Sequence, residues 1–466
     1  MAAWLHNRRD HPTATGTRST NRMIAAIEAS PARTLALILL LAVCITLPRL
    51  WLRPISLTDG DTATWWPVID NVAHGRGYTE CIPSYFPYCG PTNNVSAARE
   101  PAPVLLFAAL DRVTHASPSA AVLAEIALNL VVVVGVYFLA RQLAGVRIGL
   151  FAALLWTLYI PVSKSEVAEV SGDLLATACV AWGLFFFMRA RTRNRASDYL
   201  IAGLILSLGI LSRSVLAVVP ALLIIGLLVS AVTARGVRPR RLGQHLAPIA
   251  LLALASFVPF CPWLVRNYVE FHRPVLGTTL NGYNLYRENY QLTQATYLRY
   301  VGSDEADRAV AALAQRRTDL TIGAVNEAQM DGVYRTEALR VIKAKPLRYL
   351  TLSAARGVML WFNWTIPAGY GLSWTLLDSL VAFQQAVLLI AAIVGLWRRW
   401  RCLWPLAVSI AVLTLVYMAV IGRLYLLFPI MPLTVVLAAI GCGQVVRALA
   451  ARWQRRSDSM VLEPRI

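Results

Sequence analysis

The chain has 466 residues, of which 57% are hydrophobic and 15% are charged, with a mean hydropathy of +0.55. Soluble globular domains are closer to about 45–50% apolar, so this composition excludes an ordinary soluble protein. The net charge of +19 does not indicate nucleic-acid binding, because its arginines lie in short clusters between apolar runs and do not alternate with aromatic residues. The clusters are Arg8, Arg9, Arg18, Arg22 and Arg33; Arg189, Arg191, Arg193 and Arg195; Arg235, Arg238, Arg240 and Arg241; Arg398, Arg399 and Arg401; and Arg452, Arg455 and Arg456.

Ten apolar stretches predict membrane-spanning helices. A bilayer core of about 30 Å needs roughly 17–25 apolar residues, and some of these stretches are shorter than that. In chain order they are residues 34–50, 120–140, 148–162, 172–188, 199–211, 215–232, 246–265, 376–396, 403–421 and 424–446. Two further apolar segments, 102–113 and 350–364, are too short to cross and predict helices at the membrane interface. The expected fold is an all-α polytopic bundle of about 10–12 hydrophobic helices.

The arginine clusters also predict the orientation of the chain. If both termini are cytoplasmic, every strongly basic cluster falls on the cytoplasmic face, as expected for a multi-pass protein of the inner (plasma) membrane. A polar tail precedes the first span and no cleavage site clearly follows it, so that span is expected to be a retained anchor. The predicted parts are a cytoplasmic basic tail at 1–33, an N-terminal transmembrane module at 34–265 with an exterior loop at 53–100, a small exterior subdomain at 266–346, C-terminal transmembrane helices at 347–449, and a cytoplasmic basic tail at 450–466.

Two of the seven cysteines share the predicted exterior loop. Cys81 and Cys89 lie close together in what would be an oxidising compartment, which predicts a disulfide that closes the loop. Two free thiols are the alternative. The other cysteines lie in or beside apolar spans, where cysteine usually acts as a small hydrophobic residue.

Signatures of the familiar soluble enzymes are missing, including a phosphate-binding loop, HExxH and GxSxG. An active site would therefore depend on carboxylates, arginines and aromatic residues. Asp59 and Asp61 follow the first span next to Trp65 and Trp66, where an ionised acid could accept a proton from an alcohol. The alternative is that Asp61 caps the next helix. Two carboxylates alone do not define a metal site, so we predict no metal ligands and leave dependence on a divalent metal open.

A second acidic group, Glu166, Glu169 and Asp173, lies at the predicted exterior end of the third and fourth spans. Ionisable groups beside spans usually face a cavity or a partner, and simple solvation in a short loop is the alternative. Asp173 is harder to explain by solvation because apolar residues follow it directly.

Four arginines lie beside apolar helices on the predicted exterior face, against the orientation rule: Arg99, Arg213, Arg266 and Arg423. A guanidinium group matches the oxygens of a phosphate, and the alternative for an isolated arginine is that it reaches toward lipid headgroups. That several arginines share this placement favours phosphate binding.

These elements occur in an order that resembles the GT-C superfamily of polytopic glycosyltransferases. The closest likeness is to the branch with the aminoarabinose transferase, the protein mannosyltransferases and related lipopolysaccharide glycosyltransferases. The matching motifs are Asp61, Trp65 and Gly75-Arg76-Gly77-Tyr78; Arg99-Glu100-Pro101-Ala102-Pro103; Pro262 to Tyr268 followed by Gly282-Tyr283-Asn284-Leu285; Tyr334 to Leu339; Pro346 to Tyr349; and Arg423 to Pro432. The family usually has Asp-Glu at the first motif, where this chain has Asp61-Thr62.

The resemblance implies a role for each matching residue. Asp61 matches the acid that acts as general base on an acceptor hydroxyl, with Asp59 as the alternative, and Asp173 resembles a second acid, whose place Glu166 or Glu169 could take. Arg266 and Arg423, with Arg99, would bind the phosphate of a lipid carrier.

The implied partners are a polyprenyl-phosphate sugar donor, an envelope lipid, glycan or protein acceptor, and membrane lipids, with no cofactor required. A polysaccharide polymerase or ligase, a transporter and a non-catalytic membrane scaffold are the competing classes. A transporter should show internal repeats, and the sequence has no convincing one.

Overall fold

The computed structural model describes residues 30–52, 56–57, 61–80, 94–164, 169–233, 239–298, 303–316, 326–362 and 375–461. The predictions for Asp59, Glu166, Cys81 and Cys89 fall outside these residues. The described helices are α1 Pro31–Thr46, α2 Arg49–Leu52, α3 Thr62–Ala73, α4 Pro101–Thr114, α5 Pro118–Ala144, α6 Val146–Thr157, α7 Ile160–Lys164, α8 Asp173–Arg193, α9 Ala196–Ser212, α10 Val218–Thr233, α11 Pro239–Phe257, α12 Cys261–Phe271, α13 Asn281–Arg287, α14 Ser303–Arg316, α15 Glu327–Ala344, α16 Pro346–Phe362, α17 Leu376–Trp397, α18 Trp400–Val420 and α19 Met431–Val461.

Short 3₁₀ segments at Ser214–Ala217, Val258–Phe260, Tyr290–Thr293 and Leu424–Ile430 join some of these helices. The described strands are β1 Thr79–Glu80 and β2 Asn94–Val95, which pair antiparallel with Thr79 opposite Val95. The prediction of an all-α polytopic fold is confirmed, because in the described part of the chain the sheet comprises only these two short strands.

Eight segments within the described residues are long and apolar enough to cross a membrane, and α6 and α9 are shorter apolar helices. Together they correspond to the ten predicted spans. The third predicted span, at 148–162, is divided, because α6 ends at Thr157 and the chain turns before α7. The seventh is longer than predicted and runs over Leu246–Phe271. The two segments predicted to lie at the interface form α4 and α16.

The C-terminal span lies at the centre of the bundle. In the most apolar part of Leu424–Gln454, 89% of the residues are buried inside the bundle, whereas the share for Pro31–Leu52 is 17%. Glycine allows this close packing: a Cβ atom at Gly441 would overlap the backbone oxygen of Ala391, and one at Gly395 would overlap that of Leu437. Small residues that bring backbones together stabilise helix pairs in membranes, so α17 and α19 form a tight pair.

The clustered basic turns lie at the opposite end of the bundle from Asp173. Helix α8 begins at Asp173 and ends at Arg193, a rise of about 31 Å at about 1.5 Å per residue. At its C-terminal end, Arg191 Nη1 donates to the backbone oxygen of Cys402 at 3.3 Å, and Arg399 Nη1 donates to that of Leu143 at 3.3 Å. These basic turns therefore meet at one end of the bundle, called the basic end below. The other end, at the start of α8, is called the acidic end.

The described residues of the stretch 266–346, called the 266–346 subdomain below, lie at the acidic end and pack around a small core. Tyr283 of α13 packs edge-on against Tyr334 of α15, with ring centroids 5.7 Å apart. Asp331 Oδ1 accepts hydrogen bonds from the backbone amides of Gly282, at 2.5 Å, and Tyr283, at 3.2 Å. These contacts fix α13 against α15 and place the residues that follow α13 above the ends of the spans.

Candidate active-site cavity

One large cavity opens at the acidic end, between the membrane helices and the 266–346 subdomain. Its volume is about 1390 Å³. The ionisable residues that line it are Asp61, Arg99, Glu100, Glu169, Asp173, Arg213, Arg287, Asp307, Arg335 and Arg423. The cavity therefore brings together five of the predicted site residues, namely Asp61, Arg99, Glu169, Asp173 and Arg423.

Asp61 is a partly exposed acid of this cavity. It directly precedes α3, but its side chain makes no capping hydrogen bond to that helix, which argues against the alternative of a simple N-cap. Its Oδ1 accepts from the hydroxyl of Thr64 at 3.3 Å and lies 3.8 Å from Arg99 Nη2. The side chain is 39% exposed, so the carboxylate can meet a second molecule within the cavity.

Arg99 is held in place by the first turns of α3. Its Nε donates to the backbone oxygen of Thr64 at 3.2 Å, and its Nη2 donates to the Thr64 hydroxyl. The guanidinium also lies over the ring of Trp65, 4.8 Å from the centroid, in a cation–π contact. With a side chain only 10% exposed, Arg99 is better placed to orient Asp61 than to move toward a ligand.

Asp173 and Arg213 form a nearly buried ion pair in the cavity wall. Arg213 Nη2 donates to Asp173 Oδ2 at 2.5 Å, and Nε lies close to Oδ1 as an ion pair without forming a second hydrogen bond. The side chains are 3% and 17% exposed, respectively. Ser171 adds a hydroxyl 3.5 Å from Oδ2. Because both oxygens of Asp173 already face a guanidinium, this carboxylate is far less available to a substrate than that of Asp61.

Arginines from two directions meet around Glu288. Its Oε1 accepts from Arg287 Nη1 at 2.9 Å and lies 3.3 Å from Arg423 Nη2. Arg287 also donates from Nε to Asp307 Oδ1 at 3.2 Å. Burial lowers the pKa of Arg287, but the charges of Glu288, Tyr283 and Asp307 together outweigh it and the net pKa is raised. Arg287 therefore remains positively charged at the cavity wall.

The side of the cavity next to the membrane helices is apolar. The residues that form it are Met359 of α16, Val381 of α17, Val416 and Val420 of α18, and Ile421, Leu426 and Phe428 after α18. A single space thus joins charged groups at the acidic end to a hydrophobic wall made by membrane helices. This arrangement suits an amphipathic ligand with a charged head and an apolar chain.

Arg266 lies away from the described lining of the cavity. Its Nη1 donates to the backbone oxygen of Ser96 at 2.6 Å, and its guanidinium lies over the rings of Tyr78 and Trp263, 5.2 and 5.1 Å from their centroids. These contacts join α12 to the segment that carries β2. The phosphate-binding role of Arg266 stays a prediction, and its geometry favours a role in holding this junction together.

Sequence reasoning overlooked several cavity residues. Arg213 was recognised as an arginine on the same face but received no role, and Arg287 was not singled out. A signal for Arg287 exists, since it follows Tyr283 by four residues and therefore shares its face of α13. The pairing of Arg213 with Asp173, 40 residues apart, has no local signal because it depends on how α8 and α9 pack.

Two buried acids, Glu80 and Glu327, lie close together where the two strands meet α15. Ser96 Oγ donates to Glu80 Oε1 at 2.7 Å, while Glu327 Oε2 accepts from the amide of Ala97 at 2.9 Å and from the hydroxyl of Thr279 at 2.7 Å. Burial and the neighbouring Glu327 raise the pKa of Glu80 to about 8. Burial likewise raises the pKa of Glu327 to about 7. The two glutamates are not part of the cavity lining. Their hydrogen bonds join the strands β1 and β2 to the 266–346 subdomain.

The fold and part of the sequence match known proteins. A family model described as dolichyl-phosphate-mannose-protein mannosyltransferase matches residues 99–263. The structure is similar to that of the archaeal oligosaccharyltransferase AglB from Archaeoglobus fulgidus in complex with an inhibitory peptide and a dolichol-phosphate, with a TM-score of 0.55 and 14% identity over 93% of this chain and 52% of that chain. The chain has the GT-C fold.

Another structure of the Archaeoglobus fulgidus oligosaccharyltransferase, in complex with Zn and sulfate, has a TM-score of 0.52 and 16% identity over 90% of this chain and 50% of that chain. ArnT from Cupriavidus metallidurans in the apo state gives a TM-score of only 0.36, at 14% identity over 89% of this chain and 78% of that chain. The chain thus spans about half the length of the oligosaccharyltransferase. No curated protein matches the sequence. The resemblance to the GT-C superfamily is confirmed at the level of the fold.

Proposed function

We propose that this GT-C chain is a membrane glycosyltransferase that uses a polyprenyl-phosphate-linked sugar. The observation that carries the proposal is the cavity itself, in which the partly exposed acid Asp61, the arginine Arg423 and an apolar wall of membrane helices face one space. The acceptor would be an envelope lipid, glycan or protein. Transfer would take place on the exterior face, because the acidic end lies opposite the basic turns and the positive-inside rule assigns such turns to the cytoplasm.

In the proposed reaction, Asp61 accepts the proton of the acceptor hydroxyl. The acceptor oxygen then forms a bond to the anomeric carbon, and the bond from that carbon to the donor phosphate oxygen breaks. The electron pair leaves with the polyprenyl phosphate. Arg423 stabilises the charge that develops on this leaving group, as a preorganised cation does most effectively in a site shielded from water.

Arg99 and the Asp173–Arg213 pair have supporting roles in this proposal. Arg99 holds Asp61 through the charge 3.8 Å from its carboxylate and through its bonds to Thr64. The Asp173–Arg213 pair fixes the start of α8 to the end of α9. A charged pair with so little exposure keeps the wall rigid, whereas Asp61 remains the group that meets the acceptor.

The donor class follows from the location and shape of the cavity. Sugar nucleotides are cytoplasmic, and the sequence has no phosphate-binding loop. A polyprenyl phosphate can place its chain against Met359, Val381 and Val420 while its phosphate reaches Arg423. The similar oligosaccharyltransferase is in complex with a dolichol-phosphate, which is a molecule of this chemical class.

The test uses purified protein in lipid nanodiscs with each donor supplied separately. Turnover is expected with a polyprenyl-phosphate sugar and not with a sugar nucleotide. Asp61→Asn should lower turnover by about a hundredfold or more, as expected when a general base is lost. Asp378→Asn is the matched control, because Asp378 lies in the first turn of α17 and is absent from the cavity lining. Turnover with a sugar nucleotide in the absence of any polyprenyl phosphate would refute the proposal.

Transfer of a whole glycan, as by a ligase, is the second candidate. The cavity volume of about 1390 Å³ exceeds the range of roughly 300–1,000 Å³ typical of pockets for one small ligand. The fold is also shared with an oligosaccharyltransferase. Mass spectrometry of the product formed from donors with one sugar or several sugars distinguishes the two candidates, since a ligase would favour the longer donor.

A further inference from the structure

A second group of ligating side chains lies at the opposite end of α3 and α4 from Asp61 and Arg99. Asp70, His74 and Asp111 each offer one ligand atom, and these atoms all lie within 4.8 Å of one another. Asp70 and His74 are four residues apart and therefore share one face at the end of α3. Asp111 comes from the last turn of α4. The tertiary structure thus brings together two carboxylates and an imidazole that are far apart in the chain.

The buried carboxylate of Asp111 is the observation that points to a ligand. The residue is 1% exposed. Its Oδ1 accepts from the backbone amide of Ala116 at 2.6 Å, which holds the turn after α4. Its Oδ2 is buried and has no hydrogen-bond partner in the described part of the chain. A buried, unpartnered carboxylate oxygen is costly, and a bound cation would satisfy it.

The arrangement of His74 leaves one ring nitrogen for a ligand. Its Nδ1 lies 2.9 Å from the backbone oxygen of Asp70 and 3.0 Å from the Asp70 carboxylate. With the ring proton on Nε2, Nδ1 keeps a lone pair on the side that faces the Asp70 carboxylate, so one cation can contact both residues.

The neighbouring cations do not replace a metal at Asp111. Arg76 pairs with Asp70 Oδ2 and donates from Nε to Asn71 Oδ1 at 2.6 Å, and it is 47% exposed, so it can move into solvent. Arg112 donates from Nη1 to the backbone oxygen of Ala73 at 2.8 Å. The ends of α3 and α4 add their carbonyl dipoles, which favour positive charge at this place.

We propose that Asp70, His74 and Asp111 bind a first-row divalent cation, with Zn²⁺ as the best match, that clamps α3 to α4. One imidazole with two carboxylates suits zinc, whereas Mg²⁺ and Ca²⁺ prefer oxygen ligands alone. Three protein ligands leave a fourth position for water. The inference depends on the fold and on these residues, and it holds whether or not the chain transfers sugar.

The clamp has a defined consequence for the cavity. Residues 61 and 70 are nine positions apart along α3, or about 13 Å, which is too far for the cation to touch a substrate at Asp61. The same two helices carry Asp61 and Arg99 at their other ends, 3.8 Å apart. The cation therefore acts on position: it sets how α3 lies against α4 and so how Asp61 lies relative to Arg99.

The experiment measures metal binding directly. Full-length protein without a polyhistidine tag is purified in detergent, stripped with a chelator and titrated with ZnCl₂, with MgCl₂ and CaCl₂ as separate arms. Elemental analysis after dialysis gives the stoichiometry, and Co²⁺ in place of Zn²⁺ reports on ligand geometry through its visible spectrum. One Zn²⁺ per chain is expected, together with a rise in the melting temperature, because a ligand that binds only the folded state stabilises it.

The variants separate the site from other zinc binding. His74→Gln and Asp70→Asn change partly exposed residues and should weaken Zn²⁺ binding at least tenfold without preventing folding. Asp111→Asn should weaken it similarly and also remove the Co²⁺ spectrum. His115→Asn is the matched control and should bind as the wild type, because His115 lies next to the site on the exposed turn. Unchanged Zn²⁺ stoichiometry in both His74→Gln and Asp70→Asn, or a preference for Mg²⁺ or Ca²⁺, would overturn the proposal.

Discussion

Removal of Arg213 should destabilise the protein, because it leaves the buried carboxylate of Asp173 without its partner. Asp173 is 3% exposed and faces the Arg213 guanidinium with both carboxylate oxygens. In Arg213→Met the methionine fills much of the space, but the carboxylate remains buried with only the hydroxyl of Ser171, 3.5 Å away. Breaking a buried pair by removing one partner typically costs about 3–5 kcal/mol. We expect a loss of that size in the free energy of unfolding.

The double variant tests the electrostatic origin of this loss. Asp173→Asn removes the charge that Arg213→Met leaves unpaired, so the two changes together should cost less than the sum of the single changes. Coupling energies between residues in direct contact are roughly 0.5–3 kcal/mol. We expect this pair to lie near the upper end of that range, because the two charged side chains are in direct contact and mostly buried.

The assay is equilibrium unfolding in mixed micelles, followed by tryptophan fluorescence and circular dichroism. Arg340→Met is the matched control, since Arg340 pairs with Glu337 within one helix and its side chain is 69% exposed. That change should leave the unfolding midpoint essentially where it is in the wild type. A small effect of Arg213→Met, equal to that of the control, or strictly additive effects in the double variant, would refute the account of the pair as a buried ionic clamp.

Three further predictions test the rest of the site. Arg423→Ala should raise the apparent KM for a polyprenyl-phosphate donor by roughly ten- to a hundredfold, as expected for the loss of one charge-assisted contact. Arg423→Lys should restore only part of the affinity, because lysine lacks the two-pronged guanidinium. Steady-state kinetics in nanodiscs measures the KM, and full rescue by lysine would contradict the prediction. Since burial raises the pKa of Glu80 to about 8 and that of Glu327 to about 7, from 4.5, the folded state binds protons more tightly than the unfolded state. The stability that this junction gains from the two glutamates is therefore fully present below about pH 4.5 and is lost as the pH rises through about 7 to 8. Hydrogen exchange at β1 and β2 should show this loss, and replacing both glutamates with glutamine should abolish the pH dependence. An unchanged pH profile in that double variant would disprove the prediction. Gly282→Ala should destabilise the 266–346 subdomain by about 1–3 kcal/mol or more, because the new methyl group would overlap the backbone oxygen of Asp331; limited proteolysis measures the loss, and wild-type resistance would count against the close approach of α13 to α15.

The positions of the membrane helices could be predicted from the sequence because each depends on local composition. An apolar stretch of sufficient length has few alternatives in a bilayer, so all ten predicted spans have counterparts among the described helices. Errors occurred at the ends, where local hydropathy is a poor guide. The chain turns after Thr157 inside a continuous apolar run, and the helical span through Arg266 extends to Phe271, beyond the polar residues that suggested an end.

The candidate site was only partly predictable, because its contacts join distant parts of the chain. Asp61 and Arg423 stood out as charged residues beside apolar helices, and both line the cavity. Arg266 stood out for the same reason, yet it donates to a backbone oxygen and lies over aromatic rings away from the cavity lining. The prediction could not foresee this, because local sequence does not reveal which way a side chain faces.

Hydrophobic length and charge act residue by residue, so the amino-acid sequence alone predicts a helical membrane protein and the places of its spans. Which charges meet depends instead on the packing of the helices. It paired Asp173 with Arg213 and brought Asp111 to His74. Such pairs depend on how helices cross and on which face each presents, and these are properties of the packed bundle as a whole.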